Sequence, residues 1–174
     1  DQAIGCFIHA MNEKAQALGA TSTRLATASG LHHRDMYSTA SDVARISRAA
    51  FGYPLIEHIL AKMSHELEIT GAQPRRLTIK SRIEPLVVPE SVTVTGGKTG
   101  TLVGTAENLM VRVVLDGRPV LAVLMQQGGS RWHLMSGLLE EALEAAEAQR
   151  VKAQPAARFG QLKRSPKAGP GAKP

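Results

Sequence analysis

The sequence predicts an α+β fold, and three observations carry that expectation. Apolar residues recur at helical spacing early in the chain, alternate along β-branched runs through its middle, and return to helical spacing near residue 134. Asp116-Gly117 stands between two of the β runs and is a strong signal for a tight antiparallel hairpin. Helices first, then a hairpin sheet, then a covering helix is a segregated order, which separates α+β from the alternating order of a parallel sheet. No segment repeats.

Each element has its own signal. Ile4, Phe7, Ile8, Met11, Ala15 and Leu18 form a helical stripe, and Gly19 follows as a stop, so residues 2–18 read as an amphipathic helix. Residues 20–36 hold Thr, Ser, Gly and His without periodicity and read as a long loop. Thr39-Ala40-Ser41-Asp42 fits a capping box, in which the Thr39 hydroxyl and the Asp42 carboxylate satisfy free backbone N–H groups. The helix that follows is expected to bury Val43, Ile46 and Phe51. Gly52-Tyr53-Pro54 ends it, and Pro54 suits the first turn of a short helix through Leu60.

After Ser64 the pattern changes. Leu67-Glu68-Ile69-Thr70 and Leu77-Thr78-Ile79-Lys80 alternate like strands around a turn from Gly71 to Pro74. Three longer strands are expected over residues 92–95, 109–115 and 120–125, and a closing helix over residues 134–148. From Val151 the chain is Pro, Gly, Ala and basic residues without apolar period, and is expected to be disordered. The division is therefore a domain over residues 1–149 and a basic tail over residues 150–174.

Composition narrows the class. The 174 residues suit one domain with a real core, and 43% are hydrophobic, which excludes a disordered chain. All 15 acidic residues precede residue 148, against 14 of the 21 basic ones. The body is thus near neutral at −1, and the seven basic residues from Arg150 onward carry +7. That tail could bind an anionic partner or be a solvated extension; with Phe159 its only aromatic for base stacking, no nucleic-acid role is assigned. Cys6 is the single cysteine, which excludes an internal disulfide and cysteine-rich metal sites, and it is expected to pack beside Phe7. No run reaches the roughly 18 apolar residues of a membrane span, and no export signal is recognisable. Starting at Asp1 and running straight into a helix, the chain reads as a fragment.

Lys98-Thr99-Gly100 is the motif that carries chemistry. Gly97-Lys98-Thr99 also matches the end of a phosphate-binding loop, but that loop needs a glycine where Val92 stands and a helix where Thr101-Leu102-Val103-Gly104 runs on. A Lys-Thr-Gly on an edge strand is one of three signatures of serine acyl-transferases acting on penicillin or D-alanyl-D-alanine peptides. The other two, Ser-x-x-Lys and Ser-x-Asn, occur nowhere in these 174 residues. The context sharpens the match. Phe7 to Ala15 with its Met11-Asn12, then Leu18-Gly19, Thr23, Gly30-Leu31 and Tyr37-Ser38-Thr39-Ala40-Ser41-Asp42 precede the triplet in order. Over residues 4–145 the chain resembles the D-alanyl-D-alanine carboxypeptidases of the low-molecular-mass penicillin-binding protein class, serine peptidase family S11.

The resemblance implies part of a β-lactamase/transpeptidase-like fold, with the N-terminal strands and the nucleophile-bearing helix missing. It implies that Lys98 and Thr99 face a cleft, Lys98 supplying positive charge and Thr99 a hydroxyl donor. Gly100 removes a side chain where substrate lies, and the N–H of Thr101 is one of two oxyanion donors. An arginine beyond the last strand helps to hold the substrate carboxylate in this family. Arg131 is the nearest candidate, and a solvated loop arginine is its alternative reading. The implied partners are the peptidoglycan D-Ala-D-Ala stem peptide and β-lactams as inhibitors of the parent enzyme, with no cofactor and no metal, outside the cytoplasm. The segment 80–86 lacks the expected Asn-rich stretch, and residues 101–107 lack the usual aromatic. His32-His33 with Asp35, and His58 with His65, lack metal-ligand spacing. Asn12 and Asp42 read as turn and capping residues. A non-catalytic remnant that binds wall peptide is the alternative class. A β-lactamase relative is weaker, since no glutamate-bearing deacylation loop is recognisable.

Overall fold

The computed structural model describes residues 2–83, 86–102 and 106–153. Helix α1, Gln2–Ala17, ends as its glycine requires. Gly19 has a φ of +78°, and the N–H groups of Gly19 and Ala20 return to the carbonyls of Gln16 and Ala15. Of the expected apolar stripe only Ala15 is buried; Ile4 and Phe7 are 55% and 56% exposed. Cys6 is exposed as well, so the expectation that it packs is corrected: among the described residues none covers this turn of α1.

The loop that follows is anchored by two polar side chains. Asn12 donates Nδ2 to the Leu25 carbonyl at 2.8 Å and accepts the Leu25 N–H on Oδ1 at 2.8 Å. An isolated bridge between Arg24 and Tyr37 closes the loop's base. Helix α2, Ala40–Ala50, begins at Thr39, whose hydroxyl accepts the Asp42 N–H at 3.1 Å. The Asp42 carboxylate does not reach back to its own helix end as in a capping box. It accepts the Ser22 N–H and the Thr23 hydroxyl, while Arg45 donates to its other oxygen. The residues of α2 that are buried are therefore Asp42 and Ser47; Phe51 beyond it is buried as expected, but Val43 and Ile46 are only half-buried. Helix α3, Pro54–Leu60, follows with Pro54 in its first turn.

The strands form two antiparallel sheets. Strands β1, Ser64–Ile69, and β2, Arg75–Lys80, make an exposed hairpin in the register Ser64 to Lys80. Strands β3, Val92–Leu102, β4, Ala106–Leu115, and β5, Arg118–Gln127, make a meander in the order β3-β4-β5. Asp116 and Gly117 both take positive φ, 50° and 73°, as the mirror-image turn of a two-residue hairpin demands. Alternation along β4 points Leu109, Val111, Val113 and Leu115 to one face, where they are buried against Met135 and Leu139. Those two belong to α4, Arg131–Ala153, which covers the sheet. It starts earlier and runs further than its apolar period foretold. Arg150 pairs with Asp116 at 3.0 Å, and basic residues in its last turn favour a helix C-terminus, so residues 150–153 are helix rather than tail. The expected disorder from residue 154 onward lies outside the described residues. No described helix is long and apolar enough to cross a membrane.

Strand β5 is the second edge of the meander and carries an apolar run, Val120 to Met125. An open apolar edge together with the bare Ile4 and Phe7 face is a liability in water. These 174 residues expressed by themselves are expected to bind a hydrophobic dye and melt without a sharp transition. A monodisperse monomer with cooperative unfolding would show that the exposed faces need no further cover.

Candidate active site

The Lys98-Thr99-Gly100 segment lies on β3, which among the described residues pairs only with β4 and so presents its other side as an edge. In the ladder Lys98 stands opposite Met110, Thr99 opposite Leu109, Gly100 opposite Asn108 and Thr101 opposite Glu107. Paired residues share a face, so Thr99 and Thr101 lie on the side of Leu109 and α4, and Lys98 and Gly100 on the side of the helical half. Lys98 is exposed, and its ammonium donates to the Thr99 carbonyl.

Just before the triplet the strand has no side chains, and the packing explains why. A register shift between Val94 and Gly96 makes a bulge, and Gly96 adopts a φ of +151°. A Cβ there would lie 3.1 Å from the Phe51 ring and 3.2 Å from the Leu60 backbone. A Cβ on Gly97 would lie 2.7 Å from the Met110 carbonyl oxygen, with Val111 and Ile83 at 3.1 and 3.2 Å. At Gly100 the nearest atom would be Asn108 Cβ at 3.6 Å, an ordinary contact. Gly96 and Gly97 are required by the fold; Gly100 is not.

Behind the bulge, Arg112 stacks over Phe51 with its guanidinium carbon 5.1 Å from the ring centroid and donates to the Glu57 carboxylate. This fastens α3 to the face of the sheet that carries Lys98. Beyond the triplet, Arg131 is only 8% exposed, so the solvated-loop reading is set aside. Its Nη1 donates to the Thr101 hydroxyl at 2.8 Å and the Gly100 carbonyl at 3.2 Å, and Glu107 lies 3.8 Å from Nη2. Its Nε is buried without a hydrogen-bond partner among the described residues. Arg131 therefore grips the end of the Lys-Thr-Gly strand, a role that the sequence does not display because its partners lie 23 to 31 positions away.

A cavity of about 560 Å³ opens beside Lys98 and Thr99, between the end of α3, the base of the β1–β2 hairpin and the Ser81-Arg82-Ile83 turn. Ile59, Leu60, Ile79 and Ile83 supply apolar wall, and the cavity is also lined by Lys62 after α3 and by Lys80 and Arg82 at the end of β2. Sequence reasoning missed these basic residues, since scattered lysines and arginines make no motif. A smaller space of about 330 Å³ lies at the other end, where Thr101, Leu102 and Asn108 face the loop at Met36, Tyr37 and Ser38. Asn12 and Asp42 sit away from both spaces' strand wall, in the loop-anchoring bonds described above. Among the described residues no three His, Cys, Asp or Glu side chains converge as a metal site, and His33 and Asp35 pair locally at 3.7 Å.

The chain and its fold are similar to those of known proteins. A profile of the D-alanyl-D-alanine carboxypeptidases matches residues 4–129. The chain belongs to that family. It is 31% identical over 127 residues to a D-alanyl-D-alanine endopeptidase of Escherichia coli K12, covering 73% of this chain and 40% of that protein. The crystal structure of a D-alanyl-D-alanine carboxypeptidase from Mycobacterium tuberculosis H37Rv superposes with a TM-score of 0.61 at 27% identity, covering 89% of this chain and 56% of that one. The Streptomyces K15 DD-transpeptidase shares the fold, with a TM-score of 0.63 at 19% identity over 84% of this chain and 52% of that one. The chain thus spans roughly half the length of the family members it matches, and its α+β architecture is a partial version of the DD-peptidase fold.

The two kinds of glycine separate experimentally. Gly97→Ala is expected to cost about 1–3 kcal/mol of stability, the usual scale of overpacking. Gly100→Ala should leave stability within about 0.5 kcal/mol, as substitutions without a steric conflict do. Denaturant unfolding of both variants in the full-length protein checks this; equal losses would place Gly100 in the packing too.

Proposed function

We propose that these residues form one wall of a serine-type D-Ala-D-Ala carboxypeptidase that trims peptidoglycan stem peptides outside the cytoplasm. The observation that carries this reading is the Lys-Thr-Gly edge of β3, held free of covering strands beside an open cavity. The substrate is a peptide with a carbonyl to attack and a terminal carboxylate to anchor. Extended along the β3 edge, it meets Lys98 as a cation near the reacting carbonyl and carboxylate, and Thr99, which lines the edge cavity although its Cβ starts on the Leu109 side, as a hydroxyl donor. Gly100 leaves room for it, which accounts for a glycine that packing does not require. The backbone N–H of Thr101 is one donor to the oxyanion that develops as the carbonyl is attacked. Arg131 acts on this end of the cleft through Thr101 and Gly100, whose oxygens it holds, and adds positive charge behind the carboxylate site.

The nucleophile in this reaction is a serine of a Ser-x-x-Lys motif, which these 174 residues do not contain. Its hydroxyl forms an acyl-serine ester, releases D-alanine and is freed by water; a β-lactam mimics the peptide and stalls at the ester. The wall residues need no cofactor and no metal for these steps. By themselves, these 174 residues are expected to give no covalent band with a fluorescent penicillin on a denaturing gel. A band that survives denaturation would falsify the assignment of the nucleophile to a segment outside them.

In the full-length enzyme, Lys98→Ala is expected to slow acylation by about two orders of magnitude, the scale of a lost charge contact to a transition state. Stopped-flow acylation with a chromogenic β-lactam measures it. An unchanged rate in a folded variant would remove Lys98 from the site. A full-length protein that binds wall peptide yet never becomes acylated would instead establish a non-catalytic binding module.

A further inference from the structure

We propose that Glu107 is a positioning residue that sets specificity: paired with Arg131, it offsets the positive charge at the far end of the triplet, so that a free terminal carboxylate counts for less in peptide binding than Arg131 alone would make it. The inference rests on the function proposed above for the reaction and for where the peptide's end lies.

Glu107 belongs to no motif, and folding alone brings it to the site. In the β3–β4 ladder it stands directly opposite Thr101, the residue after the triplet, and so shares that residue's face. There it meets the first residue of α4 twice. Oε2 accepts the Arg131 N–H at 3.4 Å, and Oε1 lies 3.8 Å from Nη2. The partial positive charge of a helix N-terminus favours a carboxylate at that point. Arg131 in turn is held in place. Its Nη1 donates to the Thr101 hydroxyl and to the Gly100 and Asn108 carbonyls, and its guanidinium carbon lies 4.8 Å from the Trp132 ring centroid. Those oxygens and that ring are neutral, so they orient the guanidinium without cancelling its charge. Among the described residues Glu107 is the carboxylate that pairs with it.

The pair is sheltered. The side chains of Arg131 and Glu107 are 10% and 35% exposed, so less water separates the two charges than at an open surface, and a third charge nearby feels both. Lys98 differs: it is exposed, and among the described residues it pairs with no carboxylate. The two cations at the peptide's reacting end are therefore unequal. Lys98, beside the reacting carbonyl, is unopposed, and Arg131, behind the carboxylate site, is opposed. A terminal carboxylate gains less from a guanidinium whose charge is already met, and it approaches a second carboxylate as it binds. An uncharged amide at the same position is indifferent to both.

The test gives the full-length enzyme two synthetic peptides, one ending in D-Ala-D-Ala and its twin ending in D-alanyl-D-alaninamide. Release of D-alanine or D-alaninamide is followed by chromatography. Glu107→Gln keeps the side chain's shape and an acceptor for the Arg131 N–H but removes the charge. It is expected to raise the ratio of kcat/KM, free acid over amide, by about fivefold, through a lower KM for the acid with the amide's constants unchanged. Glu107→Asp keeps the charge one methylene further back, and should hold the ratio within about twofold of the unmodified enzyme's. A ratio that rises by less than about twofold in Glu107→Gln overturns the role, as does a loss of activity on both peptides by the same factor. An Asp variant that shifts the ratio as far as the Gln variant overturns it too, since charge is then not the cause. Release from the free acid alone by the unmodified enzyme also overturns it, because the terminal carboxylate is then indispensable. Each of these leaves the proposed function standing; release from neither peptide by the unmodified enzyme brings down both readings.

Discussion

The contact between β3 and the helical half depends on two residues without side chains. At Gly96 and Gly97 the strand lies so close to Phe51, Leu60, Ile83 and the Met110 carbonyl that a single Cβ at either position would be in conflict. Because of that approach the end of α3 abuts the strand directly, and Arg112 can stack on Phe51 while reaching Glu57. The triplet that follows therefore emerges from a clamped stretch of backbone. Its direction along the cleft is set before Lys98 is reached.

The far end of the same strand is fixed by a different kind of force. Arg131, at the start of α4, is buried and spends its donors on Gly100, Thr101 and Asn108. Burying an arginine is costly unless its donors find oxygen; on the β3–β4 segment Nη1 finds the Gly100 and Asn108 carbonyls and the Thr101 hydroxyl, while Nε finds none among the described residues. The apolar packing of α4 on Leu109, Val111 and Val113 places that arginine, so core burial and strand-end geometry are coupled. Loss of either end would release one of the two points that hold the edge strand. The helical half relies on polar anchors in the same way, through Asn12 on Leu25 and Asp42 on Ser22 and Thr23. It buries few large side chains of its own.

Much of this was legible in the sequence because it depends on local chemistry. The stop at Gly19, the cap at Thr39, Pro54 in a first turn and the Asp116-Gly117 hairpin all follow from the conformations that single residues permit. The alternation along β4 announced its buried face. Other features were not legible. Asp42 was read as a cap to its own helix, yet it serves a loop twenty residues back, because the loop folds over α2. Ile4, Phe7, Val43 and Ile46 have the spacing of a core without its burial, since periodicity reports a preference and not a partner. Helix α4 runs beyond its apolar period, and there Arg150 pairs with Asp116 of the β4–β5 turn, a contact the spacing of apolar residues could not report.

The sequence by itself determined the order of elements, the family and the Lys-Thr-Gly motif, since each is written in residue types at short spacings. The tertiary structure alone decided which glycines serve packing and which meets no close neighbour, since that is a matter of what stands across from each Cβ. It also turned Arg131 from a loop residue into the grip on the strand end. Finally, it gathered Lys62, Lys80 and Arg82 beside Lys98 in one cavity. Charges so far apart along the chain become a single electrostatic site only when folding brings them within a Debye length or so of one another.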